Sequence, residues 1–256
     1  MQPTFINGWW MSTDTRLGPY VILPNQPITD KQLYNAYKWK TYCESQGWSL
    51  SAICGMLGNA IKESTLSPAW IQQNNNVYYL PNRGADLTDV PNSTMLNYYD
   101  SYYGQSGGGF AVGTMQWDGY TPTPPAGQKL VSYAERHGLI WYEGDTQISR
   151  LQAEYDNDLQ FQHREVFGII WTWQNYVVNT RTPEESADIW FNNYELAAGA
   201  AELPYREGNA RWFYDYFPTH PTPPSPPVQQ LPPWMITLFS QERKDKRNVK
   251  RISYSC

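Results

Sequence analysis

The stretch that most constrains this chain covers residues 50–64, which have the pattern of an amphipathic helix ending on a carboxylate. Ser49 or Ser51 is suited to cap its start, and Pro68 prevents any long continuation. At about 100° per residue, Glu63 falls at the border of the apolar face. That face repeats at helical spacing and comprises Leu50, Ile53, Cys54, Leu57 and Ile61.

The position of Glu63 favours a carboxyl group that carries a proton. Partial burial disfavours the ionised form, and so does the negative end of the helix dipole in the last turn. Because the dipole contributes only about 0.3–1 kcal/mol, apolar contacts must supply most of the effect. Trp70 and Trp117 are candidates for those contacts. A protonated glutamate beside a cleft has the chemistry of a general acid, although a solvent-exposed helix end is the simpler alternative.

Residues 107–118 predict a hinged β-hairpin. Three consecutive glycines precede a short extended segment that ends in Gln116, Trp117 and Asp118. Glycines give the chain freedom to turn, and a short strand after them is suited to line a cleft. The hairpin is therefore the main β element expected.

Helical periodicity dominates elsewhere, so the fold class is predicted to be α+β and predominantly α-helical. Residues 1–28 are broken by glycine and proline and are expected to form an extended arm that packs its tryptophans on the body. One helix, over residues 166–178, is apolar all round and is expected to be buried. The other predicted helices start at 29 or 30, near 93, at 126, at 145, at 182 and at 207.

The C-terminal part has a different composition. Residues 218–233 form a proline-rich linker, and residues 234–256 begin with a short apolar run that precedes a basic one. The apolar run is far too short to span a membrane, so no membrane insertion is expected. The net charge of −5 includes this basic run, which makes the rest of the chain more acidic still. An acidic body argues against nucleic acid as the main partner.

Several motifs, in the same order, resemble the phage tail lysozyme family. They are the segment 47–59, the pair Glu63-Ser64 with Pro68, the strand 112–117 and the pair Tyr194-Glu195. The resemblance covers roughly residues 29–217, which it implies form a lysozyme-like catalytic domain with a β-hairpin lining the cleft. Two departures are a proline-rich insert after Trp117 and a leucine, Leu196, where the family usually has proline.

The resemblance implies cleavage of the peptidoglycan glycan strand at β-1,4 bonds between N-acetylmuramic acid and N-acetylglucosamine. Glu63 is then the general acid, and Asp118 is the nearest candidate by motif for a second carboxylate, unless it only caps a turn. Hydrolysis and lytic transglycosylation both stay open, and no cofactor or metal is expected. The residues expected to bind the sugar are Ser64, Trp70, Gln116, Trp117, Tyr120 and Glu195.

The expected location is the virion, at the tail tip, with residues 234–256 fastening the enzyme to other tail proteins. A non-catalytic tail protein that binds wall glycan is the alternative from a different class. A cysteine peptidase using Cys54 and His137 is disfavoured because Cys54 belongs to the apolar helix face. A zinc amidase is weaker, since the spacing of His137, His163 and His220 is not that of metal ligands.

Overall fold

The computed structural model describes residues 4–11, 28–69, 91–93, 95–96, 111–118, 130–195 and 200–225. The chain divides into two units, Met1–Ser225 and Pro226–Cys256, and all of the described residues belong to the first. Trp70, Tyr120 and residues 234–256 lie outside the described residues, as does most of the helix expected near residue 93.

The described residues are mostly helical, with three small antiparallel sheets, which confirms the predicted fold class. The helices are α1 Asp30–Ser45, α2 Leu50–Ser64, α3 Leu130–His137, α4 Gly144–Asp156, α5 Trp173–Val177, α6 Pro183–Trp190 and α7 Leu203–Thr219. A π-helical turn, Phe191–Glu195, follows α6, and a 3-10 turn, Ala200–Glu202, precedes α7. The paired strands are β1 Thr4–Ile6 with β2 Trp9–Met11, β3 Ala111–Val112 with β4 Trp117–Asp118, and β5 Glu165–Val166 with β6 Ile169–Ile170.

Helix α2 lies at the centre of the domain, and glycines let two other helices approach it closely. A Cβ atom added to Gly55 would lie 2.6 Å from the backbone of Ser186 on α6. One added to Gly58 would lie 2.5 Å from the carbonyl oxygen of Arg206 on α7. Ser49 caps the helix as predicted, accepting from the amide of Ala52. Close packing on two sides fixes the direction in which the end of α2 points.

An aromatic cluster fills the core beside α2. Trp173 and Trp190 are completely buried, and their ring centroids lie 5.7 Å apart in an edge-to-face arrangement. Phe161 stands 5.0 Å from Trp173, and the buried Tyr176 donates a hydrogen bond to the carbonyl of Ala52 on α2. The cluster thereby joins the end of α6 to the helix that carries Glu63.

The single buried helix predicted over residues 166–178 is wrong. Phe167 and Gly168 adopt positive φ values of 55° and 73° and form the turn between β5 and β6. Ile170 is 62% exposed, so the apolar run reflects a surface hairpin followed by the short buried helix α5. Apolar composition without periodicity did not distinguish these two arrangements.

The arm at the N-terminus contains the β1–β2 hairpin, with Trp9 and Trp10 buried.

Two helices have ends that differ from the sequence-based expectation. Helix α4 ends at Asp156, before two residues of positive φ. Helix α7 begins four residues before the predicted start at 207, and it includes Pro218, which the composition assigns to the linker. Within the described ranges, no helix combines the length and apolarity needed to cross a bilayer.

Candidate active site

Glu63 lies in the last turn of α2, immediately before a constrained turn. Thr65 and Leu66 have φ values of 56° and 62°, a backbone region that costs a non-glycine residue on the order of 1 kcal/mol. The Leu66 amide donates to Oγ of Ser64 at 3.1 Å, and its carbonyl accepts from the Asn35 side chain at 2.8 Å. Asn35 also bonds the backbone of Trp10, so the N-terminal hairpin helps to hold this turn.

The β3–β4 hairpin is tied to the same end of α2. The Ser64 hydroxyl donates to the carbonyl of Thr114 at 2.7 Å, in the hairpin turn. Gln147 on α4 accepts from the Thr114 amide at 2.8 Å and donates to the carbonyl of Pro68 at 2.6 Å. The predicted hairpin therefore exists, and its turn is fixed beside the residue that follows Glu63.

Among the described residues, an arginine contacts the Glu63 carboxylate. Nη2 of Arg206 on α7 pairs with Oε1 of Glu63, whose side chain is 18% exposed. Nη1 of the same guanidinium donates to Oδ1 of Asn59 at 3.1 Å, and its plane lies over the Phe191 ring at 5.0 Å. Helix α7 therefore brings to Glu63 a buried cation that was not expected from the sequence. Trp70, one of the two apolar neighbours expected there, lies outside the described residues.

A second carboxyl group, Glu195, lies within electrostatic range of this pair. It sits at the end of the π-helical turn, where Trp190 Nε1 donates to its Oε1 at 3.0 Å. Burial, reinforced by the negative charge of Glu63, raises the pKa of Glu195 to about 8, against the opposing effect of Arg206. A group with that pKa carries a proton at neutral pH, and it is one of the residues expected from the sequence to belong to the site.

A third carboxylate, Glu154, is completely buried and binds three donors. They are Trp117 Nε1 at 3.0 Å, Arg150 Nη2 at 2.7 Å and the Tyr194 hydroxyl at 2.6 Å. Burial raises the pKa of Glu154, and these donors oppose the rise. Glu154 therefore joins the strand that bears Asp118 to the turn that bears Glu195.

The predicted catalytic and sugar-binding residues fall into four groups. Glu63 and Glu195 are brought into one charged cluster, whereas Ser64, Gln116 and Trp117 are brought to it as buried supports. The backbone of Asp118 belongs to β4, but its side chain lies outside the described residues. Trp70 and Tyr120 have no described position.

Several residues of the cluster were missed from the sequence. Arg206 was placed outside any helix, although Pro204 in the first turn of α7 is a helix-start signal that would have extended the helix over it. Asn59 and Gln147 were not singled out, because a buried amide on an apolar face has no distinctive spacing. Cys54 is completely buried, and burial raises its thiol pKa, so it lacks the exposed thiolate of a peptidase nucleophile.

A buried central helix with a glutamate in its last turn, and a short hairpin fixed beside that end, defines a lysozyme-like domain. Residues 34–217 match the sequence model of the phage tail lysozyme family, so the chain belongs to that family. The match begins inside α1 and ends in the last turns of α7, and thus includes all of the elements that form the cluster.

One similar protein is "Morphogenesis protein 1" of Bacillus phage B103. It is 29% identical over 180 residues, which cover 70% of this chain but only 38% of that protein. The chain therefore corresponds to well under half of the relative's length.

Proposed function

We propose that this protein is a virion-associated enzyme that cleaves the peptidoglycan glycan strand, with Glu63 as the general acid. The observation that carries the proposal is the placement of Glu63: partly exposed at the end of the central helix, in a cluster with Arg206 and Glu195. Cleavage requires a proton on the leaving oxygen and stabilisation of a cation-like sugar ring. Membership of the phage tail lysozyme family supports the same chemistry.

Asp118 is the proposed second carboxylate. Asp118 follows Trp117 in β4. Because the Trp117 indole is hydrogen-bonded to Glu154, the backbone of Asp118 is attached to a rigid part of the domain. A carboxylate on the far side of the sugar would stabilise positive charge at the anomeric carbon or activate water. In a transglycosylase, the sugar's own 6-hydroxyl group would take the place of water.

A structural tail protein is the second candidate, and the name of the Bacillus phage relative favours it. "Morphogenesis" describes assembly, and the relative is much longer than this chain. In that case the domain would bind wall glycan without cleaving it. We propose association with tail proteins through residues 234–256 under either function, because an apolar segment beside basic residues suits a docking peptide.

Turbidity loss of purified Bacillus cell walls tests cleavage directly. The wild-type chain is expected to clear the suspension, and Glu63→Gln is expected to lose at least about 100-fold in rate, as loss of a general acid typically causes. Glu184→Gln is the matched control, since Glu184 also pairs with an α7 arginine, Arg211, at 2.6 Å. Wild-type binding without clearing would favour the structural candidate, and full activity of Glu63→Gln would remove Glu63 from the mechanism.

A further inference from the structure

We propose that Arg206 is a positioning residue for the general acid: its guanidinium holds Oε1 of Glu63, so that Oε2 carries the proton that reaches the leaving oxygen. The inference rests on the proposed glycan cleavage and assigns to that reaction a residue that acts through Glu63 rather than on the sugar. It follows from the contacts that one buried guanidinium makes with α2 and with the π-helical turn.

The guanidinium of Arg206 is fixed by contacts other than the one with Glu63. Nη1 donates to Oδ1 of Asn59 at 3.1 Å, and Cζ lies 5.0 Å from the centroid of the Phe191 ring. All three of these side chains are buried, and Arg206 is only 1% exposed. A guanidinium is a rigid planar fork that stacks on aromatic rings, so these two contacts determine the plane in which Nη2 lies.

Asn59 is itself held in one orientation. Its amide nitrogen donates to the carbonyl of Gly55 on α2 at 2.9 Å and to that of Ala187 on α6 at 3.0 Å, which leaves Oδ1 to accept from Arg206. Asn59 and Glu63 are four residues apart, so they lie one turn apart on the same face of α2. Arg206 therefore bridges two successive turns of that helix, and the bridge restricts the rotation of the Glu63 side chain.

A competing acceptor, Glu202, is the weaker partner of this guanidinium. Its Oε2 lies 3.5 Å from Nη2 of Arg206, and its side chain is 47% exposed. Its other oxygen pairs with Lys62 at 3.3 Å. Exposed pairs of this kind contribute little, so the more deeply buried Glu63 is the main acceptor of Nη2.

The contact with Arg206 is compatible with a protonated Glu63. A carboxylic acid keeps one oxygen as an acceptor, so Oε1 can accept from Nη2 while Oε2 carries the proton. The proton passes from Oε2 to the glycosidic oxygen as the bond from that oxygen to the anomeric carbon breaks, and the bonding electrons stay on the oxygen. The anomeric carbon then bonds to water or to the sugar's 6-hydroxyl group, and the proton lost by that nucleophile returns to Oε2.

Arg206 also interacts more strongly with the transition state than with the resting enzyme. Negative charge develops on Glu63 as its proton leaves, and the fixed guanidinium stabilises that charge without rearranging. An interaction that strengthens only in the transition state raises kcat and leaves KM almost unchanged. Loss of the contact should therefore reduce kcat rather than weaken substrate binding.

Arg206→Lys tests this role on soluble glycan fragments of peptidoglycan. Lysine keeps the charge, but a single ammonium group cannot reproduce the planar fork that joins Asn59 to Glu63. We expect kcat to fall at least about tenfold, with KM within about twofold of the wild type. Arg211→Lys is the matched control, because Arg211 lies on the same helix and binds Glu184 through two nitrogens at 2.6 and 2.8 Å. Equal kcat values for the two variants would overturn the inference.

A double variant separates positioning from general damage to the fold. In the Glu63→Gln background, Arg206→Lys should change the residual rate by less than about twofold, because the group through which it acts has no proton to deliver. Damage to the fold would lower the rate in both backgrounds. A loss of the same size with and without Glu63 would show that Arg206 does not act through it.

A nitrogen-15 NMR measurement tests the contact without replacing Arg206. Its buried Nη protons should exchange slowly with solvent, and Glu63→Gln should shift their signals, whereas Glu184→Gln should shift only those of Arg211. If no protected guanidinium signal responds to Glu63→Gln, the inference is wrong, while wall clearing that needs Glu63 would leave the proposed function intact. Absence of wall clearing by the wild type would instead reject the proposed function, and the positioning role with it.

Discussion

Trp117 Nε1 donates a hydrogen bond of 3.0 Å to Oε1 of Glu154, so the indole of the predicted cleft wall points into the core. Trp117 is only 4% exposed, and Glu154 is completely buried. The expectation that this indole contacts the sugar is therefore corrected, since its polar edge is bound inside the protein. Its contribution to the site is to hold β4, and with it the backbone of Asp118, in a fixed position.

Trp117→Phe should lower the free energy of unfolding more than Trp171→Phe, a matched change elsewhere in the domain. It removes one of three donors from a buried carboxylate, a loss that typically costs about 1–3 kcal/mol or more. Trp171→Phe is the control, because its indole donates at 2.9 Å to the neutral backbone carbonyl of Val166. Urea unfolding followed by circular dichroism compares the two. Equal losses would mean that the hydrogen bond to Glu154 contributes no more than one to a neutral carbonyl.

Local patterns predicted the elements whose residues interact within a few positions. The cap at Ser49, the helix start at Thr182 and the β3–β4 hairpin are all present. The ion pair of Glu63 with Arg206 joins residues 143 positions apart and depends on how α7 packs against Gly58. Pairings of that kind are set by tertiary packing, so the sequence identified the glutamate but not its environment.

Gly58→Ala should disturb both stability and the site. The added Cβ would meet the carbonyl oxygen of Arg206 at 2.5 Å and the Ala210 backbone at 2.8 Å, so α7 would have to move. Overpacking of this kind typically costs about 1–3 kcal/mol, and here it would displace the partner of Glu63. Thermal unfolding and wall clearing should both decline.

Gly208→Ala is the control for that substitution. Gly208 lies on α7, the helix that packs against Gly58, and a Cβ atom there would meet nothing within 4 Å. Alanine is favoured over glycine in a helix by roughly 0.5–1 kcal/mol, so this variant should be slightly stabilised. If Gly58→Ala were as stable as Gly208→Ala, α7 would not approach α2 at Gly58 as closely as the structure shows.

The stability of the domain should depend on pH through Glu195. The pKa of Glu195 is about 8 in the folded protein, whereas the ordinary value for a glutamate is 4.5. Between these two pH values the folded state therefore binds more protons than the unfolded state. Stability from this group is complete below about pH 4.5 and is lost as pH rises towards about 8. One proton corresponds to a slope on the order of 1.4 kcal/mol per pH unit.

Denaturant unfolding at several pH values isolates this contribution when the wild type is compared with Glu195→Gln. Glu154 also has a raised pKa and contributes a decline of the same sign in both proteins. The variant should therefore lose less stability than the wild type between about pH 5 and pH 8. Parallel curves would show that Glu195 does not bind an extra proton in the folded state.

Asp118→Asn tests the second carboxylate. If Asp118 supports the reaction, the rate of wall clearing should fall by at least about 100-fold with the fold unchanged. A loss below about tenfold would reduce Asp118 to a turn residue. The products should be analysed in the same experiment, because 1,6-anhydro ends indicate a transglycosylase and reducing ends indicate a hydrolase.

Truncation separates the catalytic body from the proposed docking tail, and the structure determines where to cut. The carbonyl of His220 accepts a hydrogen bond from Tyr37 on α1, and Pro223 lines a cavity with Trp9. A chain ending at Ser225 keeps these contacts and should clear walls like the full chain, whereas one ending at Phe217 should be less stable. In assembled particles, the chain ending at Ser225 should be absent if residues 234–256 attach the protein to the tail. Normal incorporation of that truncated chain would show that attachment depends on the body instead.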